Sequence, residues 1–151
     1  MKKLFLILFT LLISIACSKS GSGYHNPYLP NVKVNLMVNL YQADADYLRY
    51  QNGTYVNYSQ GIIGVAIFNA GSQYFAYDLT CPDHAFDPVT SRLVQKKPND
   101  PYVYCTNKHQ HNGEEPAFYL GNGQSIQPGL KYNQLKPYPV RKSGDNIFVT
   151  Y

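Results

Sequence analysis

An all-β domain, a sandwich or small barrel of short antiparallel strands, is the fold class this sequence predicts. Three observations predict it. Val32, Val34, Leu36, Val38 and Leu40 alternate with Lys33, Asn35, Met37 and Asn39, and a period of two sets one face of an extended chain on a core and the other in water. The composition holds 15 tyrosines, 11 glycines and 10 prolines, which suits short strands joined by tight turns. Beyond residue 23 no segment carries the three-to-four-residue apolar spacing of an amphipathic helix, and no internal repeat is found.

Taken in order, the chain opens with two cations, Lys2 and Lys3, followed by an uncharged run from Leu4 to Ala16. That run is shorter than the about 20 residues a spanning helix needs. A basic head, a short apolar stretch and a small residue before a cut site make a secretory signal peptide, residues 1–16. Ser14-Ile15-Ala16 before Cys17 resembles a lipobox, so Cys17 is the expected lipidation site. The alternative is ordinary cleavage that leaves a free thiol, which an oxidising compartment would make a liability. Residues 17–28 then form the lipidated cysteine and a flexible tether, with the Ser/Gly-rich stretch Ser18–Gly23 as spacer. Residues 29–151 are one domain, long enough for a real core. The expected location is the cell envelope, anchored to a membrane and facing the periplasm or the cell surface.

Lys2 and Lys3 leave with the signal, and the remaining cations nearly balance the 9 anions. That balance argues against a nucleic-acid partner. Within the domain, Gly61–Phe68 reads as a strand buried on both faces. Asn69-Ala70-Gly71-Ser72 turns the chain into a hairpin with Gln73–Leu79. Further short strands are predicted at Arg92–Gln95, Tyr102–Cys105, Ala117–Leu120, Lys136–Val140 and Ile147–Tyr151. Gly121-Asn122-Gly123 and Ser143-Gly144-Asp145-Asn146 read as turns. Residues 42–60 are polar and tyrosine-rich, with Asn52-Gly53 as a turn signal. Asp44, Asp46 and Asp87 are read as solvated charges.

The chemistry concentrates in two segments. Cys81-Pro82-Asp83-His84 and Cys105-Thr106-Asn107-Lys108-His109-Gln110-His111 hold both remaining cysteines and three of the 4 histidines. Each follows a predicted strand. Thiolates and imidazoles offered by paired loops suit zinc or an iron–sulfur cluster. In an oxidising compartment an isolated cysteine pair also suits a Cys81–Cys105 disulfide. His109 and His111 share a face if that segment is extended. No nucleophile triad, phosphate loop or paired-carboxylate motif is found, so an electron carrier or binding protein is expected rather than an enzyme.

These residues, in this order, resemble a Rieske domain, in particular Rieske-like lipoproteins of the Bacteroidetes type. The strand Tyr74–Leu79 runs into Cys-Pro. Phe118-Tyr119-Leu120-Gly121-Asn122-Gly123 is similar to the hairpin that follows the second cluster loop. Pro128-Gly129-Leu130 through Leu135-Lys136-Pro137-Tyr138-Pro139-Val140 is similar to the family's ending, and Leu29-Pro30-Asn31-Val32 to its opening. The resemblance covers residues 29–151. It implies a [2Fe–2S] cluster in which two histidines replace two cysteines on one iron. Cys81 and Cys105 would then hold one iron, and His84 with His109, or with His111, the other. A redox partner is implied with it. The spacings depart from the family's Cys-x-His and Cys-x-x-His. Here they are Cys-x-x-His, then three residues to His109 or five to His111.

Overall fold

A computed structural model describes residues 23–151. The signal peptide of residues 1–16, the lipidation site Cys17 and the spacer as far as residue 22 lie outside the described residues. The strands are β1 (Asn35–Asn39), β2 (Thr54–Asn57), β3 (Val65–Asn69), β4 (Tyr74–Asp78) and β5 (Leu93–Val94). They continue with β6 (Tyr102–Cys105), β7 (Ala117–Tyr119), β8 (Pro137–Tyr138), β9 (Val140–Ser143) and β10 (Asn146–Thr150). They form three antiparallel sheets, ordered β1-β10-β9, β2-β3-β4-β8 and β5-β6-β7. No α-helix occurs among the described residues; two 3-10 turns, Ala43–Arg49 and Lys108–His111, are the helical elements. The all-β class is as predicted.

The sheets enclose two apolar cores with β3 between them. Val65 and Ile67 point into the first core, with Leu36, Val38, Ile147 and Val149. Ala66 and Phe68 point into the second, with Leu79, Leu93, Val103, Phe118 and Leu120. This is why the Gly61–Phe68 run lacks alternation: a strand in the middle layer is apolar on both faces. All five residues of β3 are buried. In β1 the alternation is obeyed, with Leu36 and Val38 buried and Met37 exposed. The predicted hairpin forms, with Val65 opposite Asp78 and Asn69 opposite Tyr74. At the Gly121-Asn122-Gly123 turn, Gly123 takes a φ of 73°. A Cβ there would stand 2.6 Å from Tyr77 Cε1, so both the turn and the ring packed on it require glycine.

Two parts of the chain differ from expectation. Residues 42–60 contain the first 3-10 turn and β2. Ala45 and Leu48, three residues apart, are both fully buried, as the three-residue period of a 3-10 turn requires, while Asp46 pairs with Arg49. Residues 24–28, expected in the tether, dock on the domain instead. The Asn26 side-chain amide donates to the Pro82 carbonyl at 2.8 Å, Tyr24 donates to the Gln134 carbonyl, and the Tyr28 ring packs edge-on against Tyr132.

Candidate metal centre

Both cysteine loops leave the same end of the second core, and β5 ties them together. Arg92 bridges to Thr80 on one side, and Leu93 pairs with Cys105 on the other. The Cys81 N–H donates to the Ser91 carbonyl at 2.7 Å, and the Cys105 N–H to the Pro116 carbonyl at 2.9 Å. Asp87, expected to be merely solvated, shapes the connection from His84 to Ser91. Its Oδ1 accepts from the N–H groups of Val89 and Thr90 and from the Thr90 hydroxyl.

Cys81, His84, Cys105 and His111 converge, with one ligand atom from each lying within 4.8 Å of all the others. Both thiols are free and fully buried, and both histidines are 5% exposed. Cys105 Sγ is 3.4 Å from His84 Nε2 and 3.3 Å from His111 Nε2, and Cys81 Sγ is 3.5 Å from His111 Nε2. The outer ring nitrogens face acceptors. His84 Nδ1 lies 3.0 Å from the Ala85 carbonyl. His111 Nδ1 lies 3.5 Å from Asp83 Oδ2 and makes no hydrogen bond, a buried polar atom without a hydrogen-bond partner. Asp83 is held in turn by the Tyr132 N–H, 2.8 Å from its Oδ1.

His109 does not join them. It is exposed, and the reason is the backbone. Lys108–His111 is a 3-10 turn, so residues two apart point in different directions and the face shared in an extended chain is lost. The histidine this loop brings to the cysteines is therefore His111, with five residues between it and Cys105. Asp83 was missed in the sequence; nothing in its pattern separated it from other loop carboxylates.

Without metal, the tetrad gathers hydrogen-bond donors around one sulfur. Contact with Cys81 pulls the Cys105 thiol below its usual value, against the cost of burial, and His84, the Asn107 N–H and His111 assist. The same contact with Cys105, followed by burial, pushes the Cys81 thiol up. Contact with Cys105 raises His84. Beside His111 lies a cleft of about 450 Å³, lined by Asp83, Gln110, Pro116 and Leu130 among others.

No family model and no curated protein matches the chain. Among solved structures it resembles a chain of the complex of reduced oxygenase and oxidized ferredoxin in carbazole 1,9a-dioxygenase. There the identity is 16% and the TM-score 0.46, with 79% of this chain and 94% of that one covered. It also resembles the ferredoxin of carbazole 1,9a-dioxygenase from Nocardioides aromaticivorans IC177, at 14% identity and a TM-score of 0.42, covering 79% and 97%. Both likenesses are distant, and the all-β assignment stands on the strands themselves.

The donor chemistry suits a [2Fe–2S] centre, with one Cys and one His from each loop. The separations do not. Such a centre sets two irons and two sulfides between the thiolate pair and the imidazole pair, which drives each sulfur farther from each nitrogen than two ligands of one metal stand. The three Sγ–Nε2 distances of 3.3–3.5 Å leave no such space.

Proposed function

We propose that this chain is a metal protein of the cell envelope, tethered to a membrane by a lipid on Cys17, whose Rieske-like domain is a binding or scaffold module rather than an enzyme. In this reading Cys81, His84, Cys105 and His111 hold a metal that clips the two loops together. The observation that carries it is the convergence of four buried soft and borderline donors from two loops, the closed arrangement of a structural site. Element analysis of the purified full chain tests it: stoichiometric metal that is lost in Cys81→Ala supports the reading, and a metal-free native chain overturns it. The anchor is tested separately. Cys17→Ala should abolish detergent partitioning and palmitate labelling, and label that survives the substitution would refute the tether.

A second reading is one-electron carriage, and one observation favours it: each loop contributes one cysteine and one histidine, the division that the Rieske resemblance implies. Cys81 and Cys105 would face one iron and His84 with His111 the other; the cluster would supply a one-electron couple, and a redox partner would be required. A visible absorption and electron-spin signature in anaerobically purified protein decides for this reading, and its absence against it.

A further inference from the structure

The geometry points to a single four-coordinate metal ion of the zinc class, bound by Cys81 Sγ, Cys105 Sγ, His84 Nε2 and His111 Nε2, with a structural role in place of a redox one. The inference rests on the reading that the tetrad binds metal, and names what it binds.

Tetrahedral ligands at about 2.3 Å for sulfur and about 2.0–2.1 Å for nitrogen stand about 3.3–3.8 Å from one another. The sulfur–nitrogen contacts here, at 3.3, 3.4 and 3.5 Å, match three of that tetrahedron's six edges, and all four donor atoms lie within 4.8 Å of one another. An S₂N₂ tetrahedral set selects zinc or iron–sulfur chemistry, and the edge lengths select the mononuclear member of the pair. Four protein ligands leave no open position, the mark of a structural site. The chain also supplies the outer partners that such a site uses. His84 Nδ1 at the Ala85 carbonyl and His111 Nδ1 facing Asp83 place the proton on the outer nitrogen and turn the Nε2 lone pair inward. His111 Nδ1 has no other partner, so Asp83 is the group placed to receive its proton.

Charge agrees as well. Two thiolates neutralise a divalent ion and two neutral imidazoles add nothing, so the centre is uncharged where it borders the second core, of which Cys81 and Cys105 are members. A net charge there would carry a heavy desolvation cost. The departures from Rieske spacing take on a meaning in this light. Two residues between Cys81 and His84 is a gap usual between paired ligands of a structural zinc site, and the 3-10 turn at Lys108–His111 brings His111 back to the sulfurs.

The test uses the full chain in detergent, purified without chelator from cells given both iron and zinc. Zinc, iron and acid-labile sulfide are counted, and X-ray absorption reads the shell around the metal. The expected result is one zinc per chain, no labile sulfide, and two sulfurs at about 2.3 Å with two nitrogens at about 2.0–2.1 Å. His111→Ala should lose the metal and His109→Ala should keep it; the absorption measurement on the unaltered chain decides even where a variant does not fold. Two irons with two labile sulfides would overturn this inference and leave the metal-protein reading standing. A chain without metal, two hydrogens lighter than its reduced form and closed to alkylation, would overturn both.

Discussion

The two cores of this domain are built from the same kind of side chain and end differently. The first, between the β1-β10-β9 sheet and the β3 layer, is closed by Leu36, Val38, Ile67, Ile147 and Val149, with Leu48 from the 3-10 turn below. The second is packed with leucine and phenylalanine, but runs out into two thiols and two buried imidazoles. Apolar packing completes the first. The second finishes on groups that packing alone cannot satisfy, as the orphaned His111 Nδ1 shows. The contrast teaches where this fold depends on something other than its own burial.

The strongest way to break the comparison is Cys105→Ala. It should abolish metal binding and withdraw apparent binding free energy on the order of 10 kcal/mol, read as a large drop in the thermal midpoint together with loss of bound metal. A drop no greater in untreated than in chelator-stripped protein would show the second core to be self-sufficient. Ile67→Ala, on the face of β3 turned to the first core, should cost about 2–5 kcal/mol in denaturant unfolding and leave the metal content unchanged.

Asp83→Asn sharpens the contrast at the edge of the site. It sets an amide donor beside the His111 Nδ1–H while the Asn Oδ1 still accepts from Tyr132. Metal affinity, measured by chelator competition, should fall about 10–100-fold with the denaturation midpoint of the metal-free domain unmoved.

The smallest expected effect lies at Asp78, fully buried beneath Thr80, Tyr138 and the Ile62 N–H. Burial raises this carboxyl above 3.8, although those hydrogen bonds oppose the shift. Between 3.8 and its folded value the native state binds the extra proton, so stability falls as pH rises through that window, by at most about 1.4 kcal/mol per pH unit. Asp78→Asn should remove that slope from a series of unfolding curves, and an unchanged slope would assign it to another group.

What was legible in the sequence followed from burial pattern. The alternation of Val34–Leu40, the doubly buried β3 and the Asn69–Ser72 hairpin each needed only the period of the apolar residues and a turn signal. The gathering of Cys81, His84 and Cys105 was legible too, because each loop follows directly on a strand of the second core. What was hidden depended on geometry that forms only in the fold. The choice of His111 over His109 turns on three-residue helical winding in a polar segment, where extended and wound chains have the same composition. The 3-10 turn at Ala43–Arg49 left a faint trace in the spacing of Ala45 and Leu48. β2 was hidden because Tyr55 is the one side chain of that strand in the first core. The buried pair Asp78 and Lys136 could not be seen at all, since a carboxylate held by Tyr138 and an ammonium held by the Pro30 carbonyl and Asn31 look like surface charges until the chain is folded.

The docked segment at residues 24–28 fixes which end of the domain the preceding chain enters. Asn26 grips the Pro82 carbonyl, one residue from Cys81, and Tyr28 packs on Tyr132, whose N–H holds Asp83. With Cys17 acylated as proposed, nine residues join the lipid to Asn26, a reach of about 30 Å at full extension. With that anchor, the leash would be fastened beside the cysteine loops and would hold that end of the domain near the headgroups. On the proposed anchor, a partner for these loops would have to meet them close to the membrane surface.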